Sequence, residues 1–427
     1  MHSRIRGRIG RSALAVTLAA VTFGGTAVLG FSHSTVVSGL ARPADPSPRP
    51  GPVAPDGKIA VAYVLGQSGS DTGDVFAPYE VLASSTDFHV YTVAATPAPA
   101  AVEGGMSIVP AYTFDDVAAG VAPTPDLVVV PAVNSPAGSS EQGARDFVAR
   151  QYQEGVRVLG ICAGSRLLAA SGILDGREAT SHWSRIAALE ESNPEVTWIR
   201  GQRYVQDGLI TTTGAVTSGI PGALKVMADM AGDAEAERVG TAIGYPGWSL
   251  DAPVAVPTAS FGSADIPVLL NAVYPWARPS IGVELRDGVG EIDAGAIFEV
   301  YTYSQAARAT AFSSTGTVTT KHGLVINTAG PDEAVGQRLV AGHLASSSSG
   351  GFDAAFEQLA QTTSTSVVES TGKMLGYPLD RTIREVPGLV VQVRATLFLL
   401  LSIVLAAAAG SVPAFIGRVR RRRSMGA

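Results

Sequence analysis

The segment that most constrains this fold is V-R-V-L-G-I-C-A-G-S-R-L-L-A-A, which begins at Val156 and contains Cys162, the only cysteine of the 427 residues. Its apolar first half is typical of a strand buried on both faces, and S-R-L-L-A-A predicts a helix directly after it. Gly160 and Gly164 leave room for a tight strand-to-helix turn that strains the residue between them. The pattern predicts a nucleophile elbow, with Cys162 at the carboxyl edge of a parallel sheet, where open α/β folds bind ligands.

The same alternation of buried strands and helices extends over residues 57–235. K-I-A-V-A-Y-V-L, F-H-V-Y-T-V-A and P-D-L-V-V-V-P-A are near-continuous apolar runs, and the segments between and after them have helical patterns. Strands that alternate with helices and are apolar on both faces indicate a parallel sheet covered on both sides. We therefore predict an α/β domain with a flavodoxin-like, doubly wound parallel sheet.

Both ends of the chain predict membrane attachment. Residues 1–40 combine four Arg with an apolar run, which favours an uncleaved signal anchor over a cleaved signal peptide. Residues 395–417 are uncharged and long enough for a transmembrane helix, and the tail 418–427 carries five Arg. Because basic residues stay on the cytoplasmic side, we expect cytoplasmic termini and a body outside the cell membrane, joined to the anchor by the Pro-rich linker 41–56.

Charge and composition exclude several functions. Without the nine terminal Arg the formal net charge falls from −6 to −15, so the body would repel the phosphates of nucleic acids. One cysteine excludes an intramolecular disulfide and a cysteine-based zinc site. The six His are scattered without ligand spacing, and no dinucleotide fingerprint is present, so we expect neither a metal nor a cofactor.

A partial internal repeat follows the connection 236–280. Asp74, Tyr79 and Glu80 are matched by Asp293, Phe298 and Glu299, each 219 positions later (293 − 74). The region 281–385 has no second G-x-C-x-G motif. Chance similarity of two βα units is one explanation, but a degenerate half-repeat is the better one.

The ordered motifs of residues 57–235 carry a resemblance to a known family. G-D-V-F-A-P-Y-E-V-L, P-D-L-V-V-V-P, G-I-C-A-G-S-R-L-L-A, A-T-S-H-W and T-T-T-G-A-V-T-S-G-I occur in this order. Together they resemble the DJ-1/PfpI family of the class I glutamine amidotransferase-like superfamily. The resemblance is to the branch with isonitrile hydratase-like proteins and the amidase-like domains of AraC-type regulators.

The resemblance implies a set of site residues. Cys162 would be the nucleophile, Asp74 the carboxyl that exchanges protons with sulfur or substrate, and His182 a neighbour that orients substrate or tunes the thiol. The amides of Ala163 and Val133 would form the oxyanion site, although the family's glycine pair is replaced here by Ala132 and Val133. From the residues alone, Asp74 is equally a helix N-terminal residue and His182 a hydrogen-bonded loop residue.

The position of Cys162 at the start of a helix also bears on its charge. Free amides and the helix dipole stabilise a thiolate, so we expect a lowered thiol pKa. Glu80 lies inside the preceding helix, and we interpret it as structural because its counterpart Glu299 occurs in the copy without a cysteine.

Three functional hypotheses remain open. The first is a cysteine-dependent hydrolase, hydratase or lyase that acts on a small electrophilic molecule. The second is a non-catalytic module that senses a ligand or an oxidant. In the third, the half-repeat takes the place of a dimer partner, so that the protein is monomeric instead of the homodimer common in this family. The substrate is not identified by the sequence.

Overall fold

The secondary structure is taken from a computed structural model that describes residues 57–273, 275, 278–330, 337–342 and 351–379. The strands are β1 (Ile59–Val64), β2 (Phe88–Ala94), β3 (Ala100–Ala101), β4 (Ser107–Ile108), β5 (Tyr112–Thr113), β6 (Leu127–Val130), β7 (Arg157–Gly160), β8 (Glu178–Ala179), β9 (Thr197–Trp198), β10 (Tyr204–Asp207), β11 (Ile210–Thr213), β12 (Ser280–Glu284), β13 (Arg308–Phe312), β14 (Thr317–Thr319), β15 (Val325–Asn327) and β16 (Gln337–Val340). The helices are α1 (Thr72–Ala83), α2 (Phe114–Ala118), α3 (Gln142–Gln153), α4 (Ser165–Ala170), α5 (Trp183–Ser192), α6 (Gly219–Ala231), α7 (Asp233–Ile243), α8 (Ile266–Val273), α9 (Glu291–Ser304), α10 (Phe352–Ala360) and α11 (Thr365–Leu375).

A seven-stranded sheet forms the centre of the first half. Its strand order is β10-β11-β7-β6-β1-β2-β5, and every neighbouring pair is parallel except β10 and β11. The order reverses direction between β1 and β6, which is the switch point of a doubly wound sheet. The predicted flavodoxin-like α/β fold is therefore confirmed for this half.

Both faces of this sheet are buried, as the continuous apolar strands require. Along β1, Val61 and Tyr63 belong to one hydrophobic cluster, whereas Ala60, Ala62 and Val64 belong to another. Side chains of a strand point alternately to opposite faces, so these are the two sides of the same sheet. The first cluster includes residues of α1 and α6, and the second includes residues of α3 and α4.

The predicted membrane segments at 1–40 and 395–417 lie outside the described residues. Within the ranges that the structure describes, no helix combines the length and the apolar character needed to cross a bilayer.

The second half repeats the centre of the first. Strands β12 and β13 are parallel neighbours joined by α9, as β1 and β2 are joined by α1. Strand β16 pairs with the other side of β12 in parallel, as β6 pairs with β1. The repeat therefore extends past Gly330, where the sequence similarity fades.

The two halves meet through reciprocal contacts. Glu299 Oε1 accepts a hydrogen bond from the amide of Gly73 at the start of α1, and Glu80 Oε2 accepts one from the amide of Ile292 at the start of α9. Residues 73 and 292 differ by the same 219 positions as residues 80 and 299. Each carboxylate thus satisfies a free amide at the N-terminus of the other half's helix.

A second pair of contacts obeys the same symmetry. Strands β4 and β15 are antiparallel, with Ser107 opposite Asn327 and Ile108 opposite Ile326. Residues 107 and 326 differ by 219 positions, as do residues 108 and 327, so the shift converts each pair into the other. Such i-to-j and j-to-i contacts characterise a two-fold interface between identical subunits, which here lies inside one chain.

Two connecting segments contain helices. The connection 236–280 holds most of α7 and all of α8. The polar segment T-T-S-T-S contains the start of α11, at Thr365. The apolar residues Val367, Val368 and Leu375 are buried in the shared core, so packing rather than local pattern makes this segment helical.

Removal of residues 281–385 is expected to make the remaining domain self-associate. The deletion would expose Phe76, which packs against Gly295 of α9, and Tyr79, whose hydroxyl contacts the carbonyl of His322, and an exposed apolar patch favours association. Light scattering after size-exclusion chromatography, with both proteins begun at Gly57, should give a monomer for the longer chain and a dimer or larger species for the truncated one. A folded, monomeric truncated chain would contradict the internal-partner hypothesis.

Candidate functional site

Cys162 lies in a sharp turn between β7 and α4. It has a φ of 51°, in the left-handed region that side chains other than glycine rarely adopt. A Cβ on Gly164 would lie 2.2 Å from the carbonyl oxygen of Val130, so the turn passes too close to β6 for any side chain there. The Cys162 amide donates to Thr213 Oγ1 at 2.8 Å, which ties the turn to the end of β11. The chain therefore holds the cysteine in an elbow, at the carboxyl end of β7.

The sulfur is enclosed and lies among acids. Cys162 is 1% exposed. Burial raises the thiol pKa well above its usual value, and the negative charges of Asp74 and Asp71 raise it further, while the Ala163 amide opposes them. The expectation of a lowered pKa is thus wrong. One amide at the start of the six-residue helix α4 does not outweigh desolvation and nearby carboxylates.

Asp74 lies near Cys162, but its carboxyl group is hydrogen-bonded to another residue. Its Oδ2 accepts a hydrogen bond from the amide of Ala132 at 2.9 Å, and its buried Oδ1 has no hydrogen-bond partner among the described residues. Burial, followed by the charge of Asp71, raises the pKa of the Asp74 carboxyl well above its usual value. Asp74 lies within electrostatic range of Cys162, without a hydrogen bond to the sulfur.

Three further carboxyl groups lie next to Asp74, and the sequence analysis missed all three as site neighbours. Oxygen atoms of Asp71, Glu103 and Glu299 lie within 4.8 Å of one another. Burial raises the pKa of both Asp71 and Glu299, and the charges of Asp71 and Glu103 raise the pKa of Glu299 further. The repeat offset pointed to Glu299 as the counterpart of Glu80, but nothing local to Asp71 or Glu103 indicated the cluster.

This acidic cluster predicts a stability that falls as the pH rises. Burial raises the pKa of Glu103 to about 8, from an ordinary value near 4.5. A raised folded-state pKa means that the native chain binds more protons than the unfolded chain between those two values, so stability is lost as the pH increases through that window. We expect a loss of about 2–4 kcal/mol between pH 5 and pH 9, given about 1.4 kcal/mol per pKa unit.

Urea unfolding at a series of pH values measures this loss. Glu103→Gln should flatten the profile, whereas the exposed and unclustered Glu237→Gln should leave it unchanged. Equal slopes for wild type and Glu103→Gln would contradict the prediction.

His182 is a structural residue in this arrangement. Its Nδ1 lies 2.8 Å from Ser184 Oγ, and its Nε2 lies 2.8 Å from the carbonyl oxygen of Met374. Burial lowers the pKa of His182 to about 4, so the ring is neutral and its Nε2–H donates to that carbonyl. Both nitrogens are engaged, and the structure joins His182 to the end of α11 instead of to the cysteine.

Ala163 and Val133, whose amides were predicted to form the oxyanion site, lie in different surroundings. The Ala163 amide lies near the sulfur of Cys162 and acts to lower the thiol pKa. Val133 forms a β-bridge with Ser70. Its side chain packs against Gly66, where an added Cβ would lie 2.5 Å from Val133 Cγ1. The neighbouring Ala132 amide is occupied by Asp74. Of this set, only Ala163 is brought to the sulfur.

The end of α11 packs against the loop that follows β11 and against His182. The Leu375 carbonyl accepts hydrogen bonds from the amide and the hydroxyl of Thr217, at 3.1 and 3.0 Å. A Cβ on Gly376 would lie 2.5 Å from the Cβ of Ala215. Together with the His182 bond to Met374, these contacts hold residues 374–376 against the loop after β11. We name residues 374–376 the C-terminal cover.

A cavity of about 250 Å³ lies beside the cysteine without reaching it. Ser181 lines this cavity, and its hydroxyl donates to the Cys162 carbonyl at 3.4 Å. Cys162 and Asp74 do not line it. The space open to a small molecule is therefore separated from the sulfur by the Ser181 segment.

One group of side chains that could bind a metal ion is already hydrogen-bonded within the protein. Oxygen and nitrogen atoms of Glu80, Glu291 and His322 lie within 4.8 Å of one another. Glu291 already accepts hydrogen bonds from Thr320 and His322, and Glu80 accepts one from Ile292. Their arrangement thus serves the junction of the two halves.

Comparison with known proteins identifies the family. The DJ-1/PfpI family model matches residues 60–229. The isonitrile hydratase of Pseudomonas putida is 32% identical over 192 residues, which cover 44% of this chain and 80% of that protein. The chain belongs to the DJ-1/PfpI family. Its elbow, its Asp74 and its parallel sheet all lie within the matched region.

Other relatives are matched over shorter lengths. The HTH-type transcriptional regulator GlxA of Rhizobium meliloti is 39% identical over 107 residues, 25% of this chain and 30% of that protein. Among solved structures, Drosophila melanogaster DJ-1beta aligns with a TM-score of 0.38 and 20% identity, covering 44% of this chain and 97% of that one.

Proposed function

We propose that this chain is a ligand-sensing member of the DJ-1/PfpI family, in which the cysteine site is closed and the neighbouring cavity takes the ligand. One observation carries the proposal. Cys162 is buried among carboxyl groups, and it does not line the 250 Å³ cavity beside it. A cysteine nucleophile must be accessible to its substrate and must be a thiolate. The burial of Cys162 opposes the first requirement, and its raised pKa opposes the second.

The relatives support a sensing role. The transcriptional regulator GlxA matches this chain over 107 residues at 39% identity, so regulator proteins use domains of this kind. Two of the family's chemical positions also differ here, because Ala132 and Val133 replace a glycine pair. A ligand-binding role requires neither those glycines nor a reactive thiol.

Cysteine-dependent catalysis is the second candidate. The strained φ of Cys162 and the buried carboxyl of Asp74 favour it, because a nucleophile elbow and a buried acid are parts of such a mechanism. In this arrangement, however, burial raises the pKa of both groups, which opposes the thiolate and the carboxylate that catalysis needs. Catalysis would require the buried sulfur to become accessible and a carboxylate to take the thiol proton.

A ligand screen on wild type and Cys162→Ser distinguishes the two candidates. Thermal unfolding in the presence of a metabolite library should give the same stabilising compounds, with equal shifts, for both proteins. Chromatography of each stabilising compound after incubation should recover it unchanged. A compound that wild type consumes and Cys162→Ser does not would establish catalysis and overturn the sensing proposal.

The location remains a proposal from the sequence. We propose that the body faces outward from the cell membrane, held by segments 1–40 and 395–417. Fractionation of cells that express the full chain, compared with a chain lacking both residues 1–40 and residues 395–417, tests this. Equal amounts of both proteins in the soluble fraction would contradict it.

A further inference from the structure

The cavity beside the elbow is built from three separate parts of the chain. One wall belongs to the family-matched region, the second is the connection at residues 256–259, and the third is the end of α11 with the residues after it. The last two walls lie outside the matched residues 60–229, so the cavity is a feature of this chain's additions.

The charge of this lining is one-sided. It contains the cations Arg200, Arg203 and Lys373 and no aspartate or glutamate. Glu190 neutralises Arg200 at 2.7 Å, and Asp265 neutralises Lys373 at 2.6 Å, both from outside the lining. Arg203 has no carboxylate partner within the described ranges. In a protein of formal net charge −6, a cavity with this lining attracts anions.

One cation of this lining lacks a strong acceptor. The guanidinium of Arg203 reaches the Tyr245 hydroxyl at only 3.4 Å and otherwise rests 5.9 Å from the centre of that ring. A charged donor without a strong acceptor gains free energy from a bound one. Carboxylate oxygens match the planar donor group of arginine.

The uncharged part of the lining and the size of the cavity indicate the polarity and size of the rest of the ligand. Ile186, Val256 and Pro257 supply apolar surface, and Tyr377 adds an aromatic ring. The volume lies below the range of about 300–1,000 Å³ usual for drug-sized ligands, and a cavity of about 150 Å³ already holds benzene. The dimensions therefore fit a small organic molecule with an apolar body and one anionic group.

We propose that this cavity binds a small organic carboxylate, with the carboxylate on Arg203. This inference rests on the sensing function proposed above and names the chemical class of its ligand. Gly372, Lys373, Gly376 and Tyr377 belong to the wall that continues into the C-terminal cover. A bound carboxylate thus contacts the same segment that packs against the loop after β11.

Three isosteric probes test the charge requirement on the full chain. Calorimetry with benzoate, benzamide and benzylamine should give measurable binding for benzoate, at least about tenfold weaker binding for benzamide, and none for benzylamine, since an ionic hydrogen bond contributes about 1.5–3 kcal/mol. Benzamide or benzylamine binding as tightly as benzoate, or no binding of benzoate, overturns the inference.

Matched variants locate the contact. Arg203→Gln should weaken benzoate binding at least about tenfold. Arg150→Gln should leave it unchanged, because Arg150 also rests 5.9 Å from an aromatic ring but lies outside the cavity. Equal affinities for the Arg203 and Arg150 variants overturn the inference even if one variant is less stable.

The two proposals fail separately. A neutral or cationic compound that stabilises the protein at this cavity overturns the carboxylate assignment and leaves sensing in place. A carboxylate that is bound through Arg203 and consumed in a Cys162-dependent reaction supports the assignment and overturns sensing.

Discussion

Gly164→Ala is expected to lower the free energy of unfolding by about 3 kcal/mol or more. The added Cβ would lie 2.2 Å from the Val130 carbonyl oxygen and 3.0 Å from the backbone of Pro131. These are backbone atoms at the end of β6, where Val130 pairs with Gly160 of β7, so they cannot move without breaking the central sheet. Gly164 has a φ of −59°, which alanine adopts easily, so the expected loss is steric alone.

Gly262→Ala is the matched control for this variant. Gly262 has no atom within 4 Å of an added Cβ, and its φ of −144° suits alanine. Urea unfolding of wild type and both variants measures the difference, with the Gly262 variant expected within about 0.5 kcal/mol of wild type. A Gly164 variant as stable as the control would show that the elbow is not held against β6 as described.

Alkylation of Cys162 by iodoacetamide is expected to be at least about 100-fold slower at pH 7 than alkylation of free cysteine. The sulfur is enclosed, and desolvation with neighbouring carboxylates keeps the thiol protonated. Because the pKa is raised, the rate should keep increasing with pH beyond the range where free cysteine levels off. The single cysteine makes the measurement by mass spectrometry unambiguous, and the same chain unfolded in guanidinium provides the free-thiol rate.

Opening of the C-terminal cover should speed this reaction. His182→Ala removes the hydrogen bond to Met374, which contributes about 1 kcal/mol, so the labelling rate should rise about fivefold. His89→Ala, on the distant strand β2, should leave the rate unchanged. Labelling of wild type at the free-cysteine rate would mean that the thiol is exposed and active, and would restore the catalytic hypothesis.

The sequence predicted the features that depend on local pattern. The continuous apolar strands predicted a parallel sheet buried on both faces, and β1 places alternate residues in two separate hydrophobic clusters. The family motifs from G-D-V-F to T-T-T-G agree with the matched region 60–229. The 219-residue offset predicted a second βα unit, which appears as β12 and α9.

The chemistry of the site depends on contacts that no local pattern reveals. The carboxyl groups around Cys162 come from positions 71, 74, 103 and 299, and only the fold brings them together. The helix N-terminus predicted a lowered thiol pKa, but burial and the carboxylates reverse the direction. The C-terminal cover was also missed, because residues 374–376 contact the site through backbone carbonyls that carry no sequence signal.

The reciprocal bonds of Glu80 and Glu299 have a consequence for how this protein can diverge. Two separate subunits must dissociate upon dilution, and any substitution in them occurs on both sides at once. Fusion makes the pairing independent of protein concentration, since the partner is always tethered nearby. It also releases each copy from the other's constraints. The first copy can keep the cysteine, while the second copy loses it and serves only as the packing partner whose Glu299 binds the start of α1.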